Sequence, residues 1–461
     1  MYAKELVDIM RRLGVFENVF CENTHYQLIT RSDQLIRLFF SEKVVLPEEI
    51  DLIWAVCNKL GHIHIKLEIY KIILDVLKVS YITMSDETKE YFIDKLKTVN
   101  PSDLIEKDIE LITELGKKGG YQFRKPPDGF VKKSADFLWS IAVLDKEYPR
   151  IIAPAARKKF CEAVQNWEDP IKEIYVSQAI DNITSEKLPL QNLKIAKKLI
   201  EKMNTSQYPA GKRTRKDFLC DLIEHQDFIT ILIDDMENYI TFANSVVEKG
   251  DLNPDTVKTY EHEGAHLFTH FKNVRSRLKI LRNMLVYANA QMTAPQMERV
   301  YDIFVQKSAL KVHDQNVFFW WFKLMINLEK GDHIEDNVME SLFRSKIVNS
   351  DLAMANDLKL NGFDSVIKLF IHTNAQSGNI IDLDPPKKKS ATNNYMNNNW
   401  QNNYTYTSTY NYSSNTTTDS SYAKLKFDKF SINVPPKQLE GIHVLWRLLV
   451  VCETSYNSVL F

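Results

Sequence analysis

The sequence predicts an all-α chain of stacked helical pairs, and three observations predict it. Glycine is scarce, 13 residues in 461, whereas chains rich in tight β-turns need it at positions of positive φ. Apolar residues recur at helical spacing from Leu46 to about Asn374, with no period-2 alternation bounded by Gly or Asn turns. The intervals between periodic stretches are short and polar. Helices of about 12–18 residues joined in this way suit an array in which each unit buries its apolar face on the next.

Residues 1–45 read as an N-terminal helical segment. It opens Met1-Tyr2-Ala3-Lys4-Glu5-Leu6, charged and amphipathic, without the apolar region of a signal peptide. The array is expected over residues 46–380. Leu46-Pro47-Glu48-Glu49 places proline and acids where a helix start favours them, and Leu52, Ile53, Val56 and Leu60 follow on one face. Ile65, Ile69, Ile72, Ile73 and Val76 make the next face, and Asn100-Pro101-Ser102-Asp103 opens another helix. Thr293-Ala294-Pro295-Gln296 has the form of a capping box. Trp54 and Trp139 each sit late in an apolar helix, which hints at a degenerate repeat, yet no strict period emerges.

Composition changes near Ile381. Residues 381–436 carry a tract from Asn393 to Tyr422 of almost wholly Asn, Tyr, Thr and Ser, which cannot bury enough apolar surface to offset chain entropy. A disordered insertion is expected there. Residues 437–461 begin another helix at Gln438–Trp446, and the apolar end Val459-Leu460-Phe461 gives the array a truncated look.

Bulk chemistry narrows the function classes. The net charge of -1 offers no general attraction to nucleic acid or an anionic membrane, so neither is expected as a partner. The five cysteines (Cys21, Cys57, Cys161, Cys220, Cys452) are scattered, without C-x-x-C spacing or a disulfide framework. A reducing compartment fits: the cytoplasm, with the nucleus as a second expectation. Pro385-Pro386-Lys387-Lys388-Lys389 has the form of an import signal, although a solvated lysine run is the plainer reading. No run of about eighteen apolar residues occurs.

The sharpest chemical motif is His262-Glu263-Gly264-Ala265-His266, the H-E-x-x-H of zinc peptidases. On a helix the imidazoles of His262 and His266 lie one turn apart and can share zinc while Glu263 activates water. Against this, His270 would lie about 12 Å from His262 along a continuous helix. The longer metzincin pattern needs glycine at Thr269 and histidine at Lys272. The helix is also expected to continue through Val274, Leu278 and Leu281, and no upstream sheet is readable. A solvated His/Glu helix face is preferred, with no catalytic residue, metal or cofactor assigned. Cys21 and His25 form the only close thiol–imidazole pair, but no glycine-lined oxyanion loop accompanies them. Lys212-Arg213-Thr214-Arg215-Lys216 can meet phosphate or an acidic partner, or simply form a solvated loop. Phe318-Phe319-Trp320-Trp321-Phe322 reads as a core face.

Several segments together resemble the helical repeats of the fat-facets-type giant ubiquitin-specific proteases. In order they are Leu52-Ile53-Trp54-Ala55, Phe137-Leu138-Trp139-Ser140-Ile141-Ala142, Asn253-Pro254-Asp255-Thr256-Val257, Arg277-Leu278-Lys279-Ile280-Leu281 and Ala294-Pro295-Gln296. The likeness is fullest at Asn316–Met325 and returns at Gly441–Arg447, so it runs from Leu46 to the C-terminus around the Asn-rich tract. The resemblance implies an armadillo/HEAT-like α-α superhelix, non-catalytic, that positions ubiquitinated substrates or regulators for a cysteine protease domain. In that family the helix after the Asn-Pro-x-Thr-Val segment is no zinc site. The family's Gly-Asn-Thr-Cys box and histidine box are missing from these residues, so no catalytic residue carries over. The resemblance therefore implies either a piece of a larger enzyme, with its catalytic domain in cis, or a shortened relative. The alternatives are a stand-alone helical adaptor unrelated to ubiquitin, and a zinc metallopeptidase at 262–266.

Overall fold

A computed structural model gives the fold. It describes residues 2–21, 24–41, 45–57, 63–78, 84–117, 129–143, 152–206, 213–250, 261–262, 268–326, 338–348, 360–376, 380–382, 430–432 and 439–445. The chain divides into two compact units, Met1–Ile334 and Glu335–Phe461.

The first unit is a succession of helices: α1 (Tyr2–Arg12), α2 (Val15–Val19), α3 (Tyr26–Thr30), α4 (Asp33–Ser41), α5 (Pro47–Cys57), α6 (Ile63–Lys78) and α7 (Asp86–Lys97). Then come α8 (Glu106–Leu115), α9 (Gly129–Val143), α10 (Ile152–Val164), α11 (Asp169–Thr184), α12 (Pro189–Glu201), α13 (Arg215–Gln226) and α14 (Phe228–Glu248). A two-stranded hairpin, β1 (Glu261–His262) and β2 (Phe268–Thr269), leads into α15 (His270–Ala288), α16 (Ala294–Tyr301) and α17 (Lys311–Ile326). The main packing of each helix is with neighbours within three helices in sequence, for example α9 on α10, α11 on α12, and α15 on α12 to α14 and α17. That is the local connectivity of a stacked repeat, and the fold is an armadillo-like helical array.

The predicted faces are largely the buried ones, although Leu52 is half-buried and Leu60 falls outside the described residues. Ile65, Ile69, Ile72, Ile73 and Val76 of α6 are all buried, as are Ile53 and Val56 of α5. Thr293 N–H donates to Gln296 Oε1 at 3.1 Å, closing the expected start of α16. One start is displaced. Asn100 accepts from Ser102 N–H within a short 3-10 turn, Pro101–Asp103, and α8 begins only at Glu106. Asp108 fixes that later start by accepting the Ile105 N–H at 2.7 Å.

The repeat that the sequence hides is visible in the polar contacts. Buried or half-buried side chains bond across separations of 38 to 44 residues again and again. Arg11 meets Glu49 at 2.7 Å, Lys66 meets Asp108 at 3.2 Å, and Tyr175 donates to Asp136 at 2.6 Å. Arg277 meets Asp235 at 2.8 Å, and His270 meets Asp314 at 2.8 Å. At the surface Tyr91–Asp51, Lys133–Asp94 and Arg213–Glu173 keep the same interval. This is close to the about 40–47 residues of one armadillo or HEAT repeat. Each contact is a rung from one repeat to the next.

The second unit contains α18 (Val338–Leu342), running on as a π-helical turn Phe343–Val348, and α19 (Leu360–Gln376). Its strands β3 (Ile380–Asp382) and β4 (Phe430–Ile432) pair antiparallel, Ile380 opposite Ile432 and Asp382 opposite Phe430. Within the segment expected to be disordered, residues 381–382 and 430–432 thus lie in paired strands. The Asn-rich tract between them lies outside the described residues, as does the end of the chain after Leu445. The expected last helix is described at residues 442–445, with Leu439 and Val444 buried.

Candidate functional site

Of the zinc-peptidase motif, the described residue His262 stands in a strand rather than a helix. His262 lies in β1, opposite Phe268, and Glu263 and His266 fall outside the described residues. The helix expected to run through them starts at His270 instead. Thr269 is its N-cap, accepting the Lys272 N–H at 3.3 Å, and Asn273 Nδ2 donates to the Phe268 carbonyl at 2.9 Å. These contacts hold Phe268 and Thr269 in extended backbone, so α15 does not reach back through them.

His270, dismissed as a third ligand for that motif, is instead drawn into the core. Its Nε2 is 2.8 Å from Asp314 Oδ1 on α17, and its Nδ1 is 2.9 Å from the Tyr239 hydroxyl on α14. His313 Nδ1 reaches the same Asp314 oxygen at 2.7 Å, while Ser308 donates its hydroxyl to Asp314 Oδ2 at 2.6 Å. Burial alone would push the Asp314 carboxyl up. The two imidazoles, His270 foremost, outweigh it and hold the carboxyl well below the ordinary carboxylate range. Sequence spacing gave no warning of this cluster, because His270 and Asp314 are 44 residues apart.

Cys21 and His25 are not brought together as nucleophile and base. The Cys21 thiol lies 3.3 Å from the Thr24 hydroxyl, and His25 Nδ1 accepts the Gln27 N–H at the start of α3. The aromatic run of α17 is core at Phe318, Phe319, Trp321 and Phe322. Trp320 is half-buried and lies under the Arg275 guanidinium, 4.6 Å from the ring centre.

Of the basic cluster at 212–216, Arg213 and Arg215 are engaged internally, Lys216 is exposed and Lys212 falls outside the described residues. Arg213 bridges Glu173 of α11 and Asp221 of α13, Thr214 and Asp217 form a capping box for α13, and Arg215 stacks on Tyr287 at 4.1 Å. A groove of about 590 Å³ lies there, lined by Ile174, Phe218 and Leu222 with Glu173, Asp181 and Asp221. Burial pushes the Glu173 carboxyl above its ordinary value despite Arg213 beside it.

A different cationic face is less fully compensated. It is formed where α12 packs on α15. The groups acting on Lys279 are three cations, Lys197, Arg275 and Arg282, against the single carboxylate Glu201. Desolvation and these like charges push the Lys279 ammonium below its ordinary value. Glu201 is already engaged, meeting Lys197 at 3.1 Å and accepting the Tyr287 hydroxyl at 3.2 Å. Burial likewise pushes the Arg282 guanidinium down, and its Nε is buried without a partner among the described residues. Like charges held at this proximity cost folding free energy, which an anionic partner would recover. Sequence reasoning missed this face because its lysines and arginines sit four or so apart on two helices rather than in one run.

No described helix is long and apolar enough to cross a membrane. Comparison with known proteins agrees with the architecture. The family model of the UBP24/USP9X/USP9Y ARM repeat matches residues 1–374, reaching back to the first residue from Leu46, where the likeness is first legible by eye. The chain is 22% identical over 402 residues to ubiquitin carboxyl-terminal hydrolase 9X of Mus musculus, covering 82% of this chain and 15% of that protein. It is 22% identical over 389 residues to ubiquitin carboxyl-terminal hydrolase 9Y of Homo sapiens, covering 79% of this chain and 14% of that one. The chain thus spans about a seventh of the length of these relatives, and the match of the family model falls on the ARM repeat. By the extent of that match, the chain belongs to the UBP24/USP9X/USP9Y ARM-repeat family.

Proposed function

We propose that this chain is a non-catalytic docking scaffold of a deubiquitinase-type protein, holding ubiquitinated substrates or regulators by acidic segments laid on the α12–α15 face. The observation that carries the reading is the excess of positive charge around Lys279, where Lys197, Arg275 and Arg282 act against Glu201 alone, and Glu201 is itself paired with Lys197. A rigid helical array gives such a face a fixed shape, so little ordering entropy is lost on the scaffold side when a partner binds. The names of the relatives, ubiquitin carboxyl-terminal hydrolases, supply the link to ubiquitinated proteins.

The test compares the full chain with a Lys197→Glu/Lys279→Glu variant, each immobilised and offered purified ubiquitin-conjugated proteins across a salt series. Retention by the wild type that falls steeply with salt and drops at least about tenfold in the variant supports the reading. Equal retention by both removes the α12–α15 face from the function. No retention by the wild type leaves the stand-alone adaptor as the better account.

A further inference from the structure

We infer that His270, His313 and Asp314 form a site for one divalent transition metal, zinc by donor set, that clips α15 to α17. The three side chains each offer a ligand atom within 4.8 Å of the others. Both imidazoles converge on one carboxylate oxygen, at 2.8 Å from His270 Nε2 and 2.7 Å from His313 Nδ1. A tetrahedral zinc with bonds of about 2.0–2.2 Å sets its ligands roughly 3.3 Å apart, so each imidazole needs to part from the carboxylate oxygen by about half an ångström, with the two imidazole nitrogens already within 4.8 Å of each other. Two nitrogens and a carboxylate oxygen suit zinc, whereas magnesium and calcium prefer an all-oxygen shell.

The surroundings of His270 match what a metal ligand needs. To present Nε2 to a metal, neutral His270 must carry its proton on Nδ1, and that N–H then donates to the Tyr239 oxygen 2.9 Å away. A hydroxyl can donate or accept, so the switch breaks nothing. His313 bound through Nδ1 carries its proton on Nε2, an atom with no partner among the described residues, so no bond is lost there either. Ser308 holds the second Asp314 oxygen at 2.6 Å and leaves Oδ1 for the ion. His270 and Asp314 are fully buried, and His313, 13% exposed, is the most accessible of the three. The site differs from the H-E-x-x-H candidates: it uses neither His262 nor Glu263 nor His266, and it rests on side chains from two stacked helices. It is also independent of the docking face on α12 and α15.

The experiment is a titration of the chelator-treated full chain with cobalt(II), followed by zinc displacement, at neutral pH. We expect one equivalent of cobalt with the visible bands of a four-coordinate site, bleached by zinc, and a thermal midpoint raised by zinc. His313→Gln and Asp314→Asn abolish the bands, His262→Ala keeps them, and Tyr239→Phe weakens binding by about 10–100-fold. Absence of uptake by the wild type overturns the proposal whatever the variants do. So does uptake that His262→Ala removes and His313→Gln spares. If His313→Gln fails to fold, X-ray absorption at the cobalt edge of the wild type decides: two imidazole ligands support the site, and an all-oxygen shell overturns it.

Discussion

Arg277 of α15 is forked onto Asp235 of α14, Nε to Oδ2 at 2.8 Å and Nη2 to Oδ1 at 3.2 Å, with the arginine side chain 2% exposed. The same guanidinium donates to Asn273 Oδ1 at 2.6 Å and lies 4.4 Å from the Tyr239 ring centre. Tyr239 in turn meets His270, and His270 meets Asp314. A buried polar string therefore runs from α14 through α15 to α17.

Breaking that string at one member should cost far more than replacing a pair. Arg277→Met leaves Asp235 charged, buried and unmatched, and urea unfolding should report a loss of about 3–5 kcal/mol. The double variant Arg277→Met/Asp235→Leu exchanges the pair for apolar volume and should recover most of that loss. A double variant as unstable as the sum of both singles would show that the pair is not what ties α14 to α15.

Thiol reactivity should follow burial. Burial pushes the Cys161 thiol up to about 12, with Arg157 only partly opposing it, and pushes the buried Cys57 higher still. At pH 8 a thiol at 12 is ionised to only about one part in ten thousand. An aromatic disulfide reagent should therefore modify exposed Cys21 first and leave Cys57 and Cys161 untouched until denaturant is added. Prompt labelling of Cys161 in the folded chain would contradict the packing of α10.

Acid should loosen the contact of α14 with the segment after α16. Glu237 accepts from Lys307 at 2.5 Å and from Arg299 Nε at 3.0 Å, and these bonds, Lys307 first, hold its carboxyl below the ordinary value. A carboxyl depressed in the folded state contributes stability that is present above its unfolded pKa of about 4.3. That contribution is lost as pH falls through the lower folded value. Glu237→Gln should cost about 0.5–1 kcal/mol at pH 7, since the site is partly solvated. The gap to wild type should close below about pH 4 and shrink in high salt. A gap that persists at low pH would mean the effect is packing, not charge.

How much of this was legible in the sequence depends on whether a signal is local. Helix faces such as Ile65 to Val76 repeat every three or four residues, and caps such as Thr293 with Gln296 span three, so both are readable along the chain. The inter-repeat rungs are not. They join residues about forty apart and change chemistry from rung to rung: Arg11–Glu49, Lys66–Asp108, Tyr175–Asp136, Arg277–Asp235. The acid follows the donor in the first two and precedes it in the last two, so no self-match survives. The histidine cluster was hidden in the same way. His262 and His266 drew attention because their spacing fits one helix, whereas His270 finds its partners only when α17 stacks on α15.

Gly441 offers a test of the second unit by contrast with Gly250. Both have φ near +80°, at 80° and 77°, so alanine at either meets the same backbone resistance. Their surroundings differ. A Cβ at Gly250 meets nothing within 4 Å, whereas one at Gly441 would lie 2.5 Å from Phe343 Cζ and 3.1 Å from Val348 Cγ2. Gly441 also follows Glu440, whose N–H donates to Asn374 Oδ1 at 2.9 Å and whose carbonyl accepts from Asn374 Nδ2 at 3.0 Å. Moving the backbone to relieve the clash would strain both bonds. Gly250→Ala should therefore cost about 1 kcal/mol of backbone strain alone. Gly441→Ala should cost distinctly more and speed proteolytic cleavage around residues 439–445. Equal and small effects at both glycines would mean that residues 439–445 do not seat against Phe343 in solution.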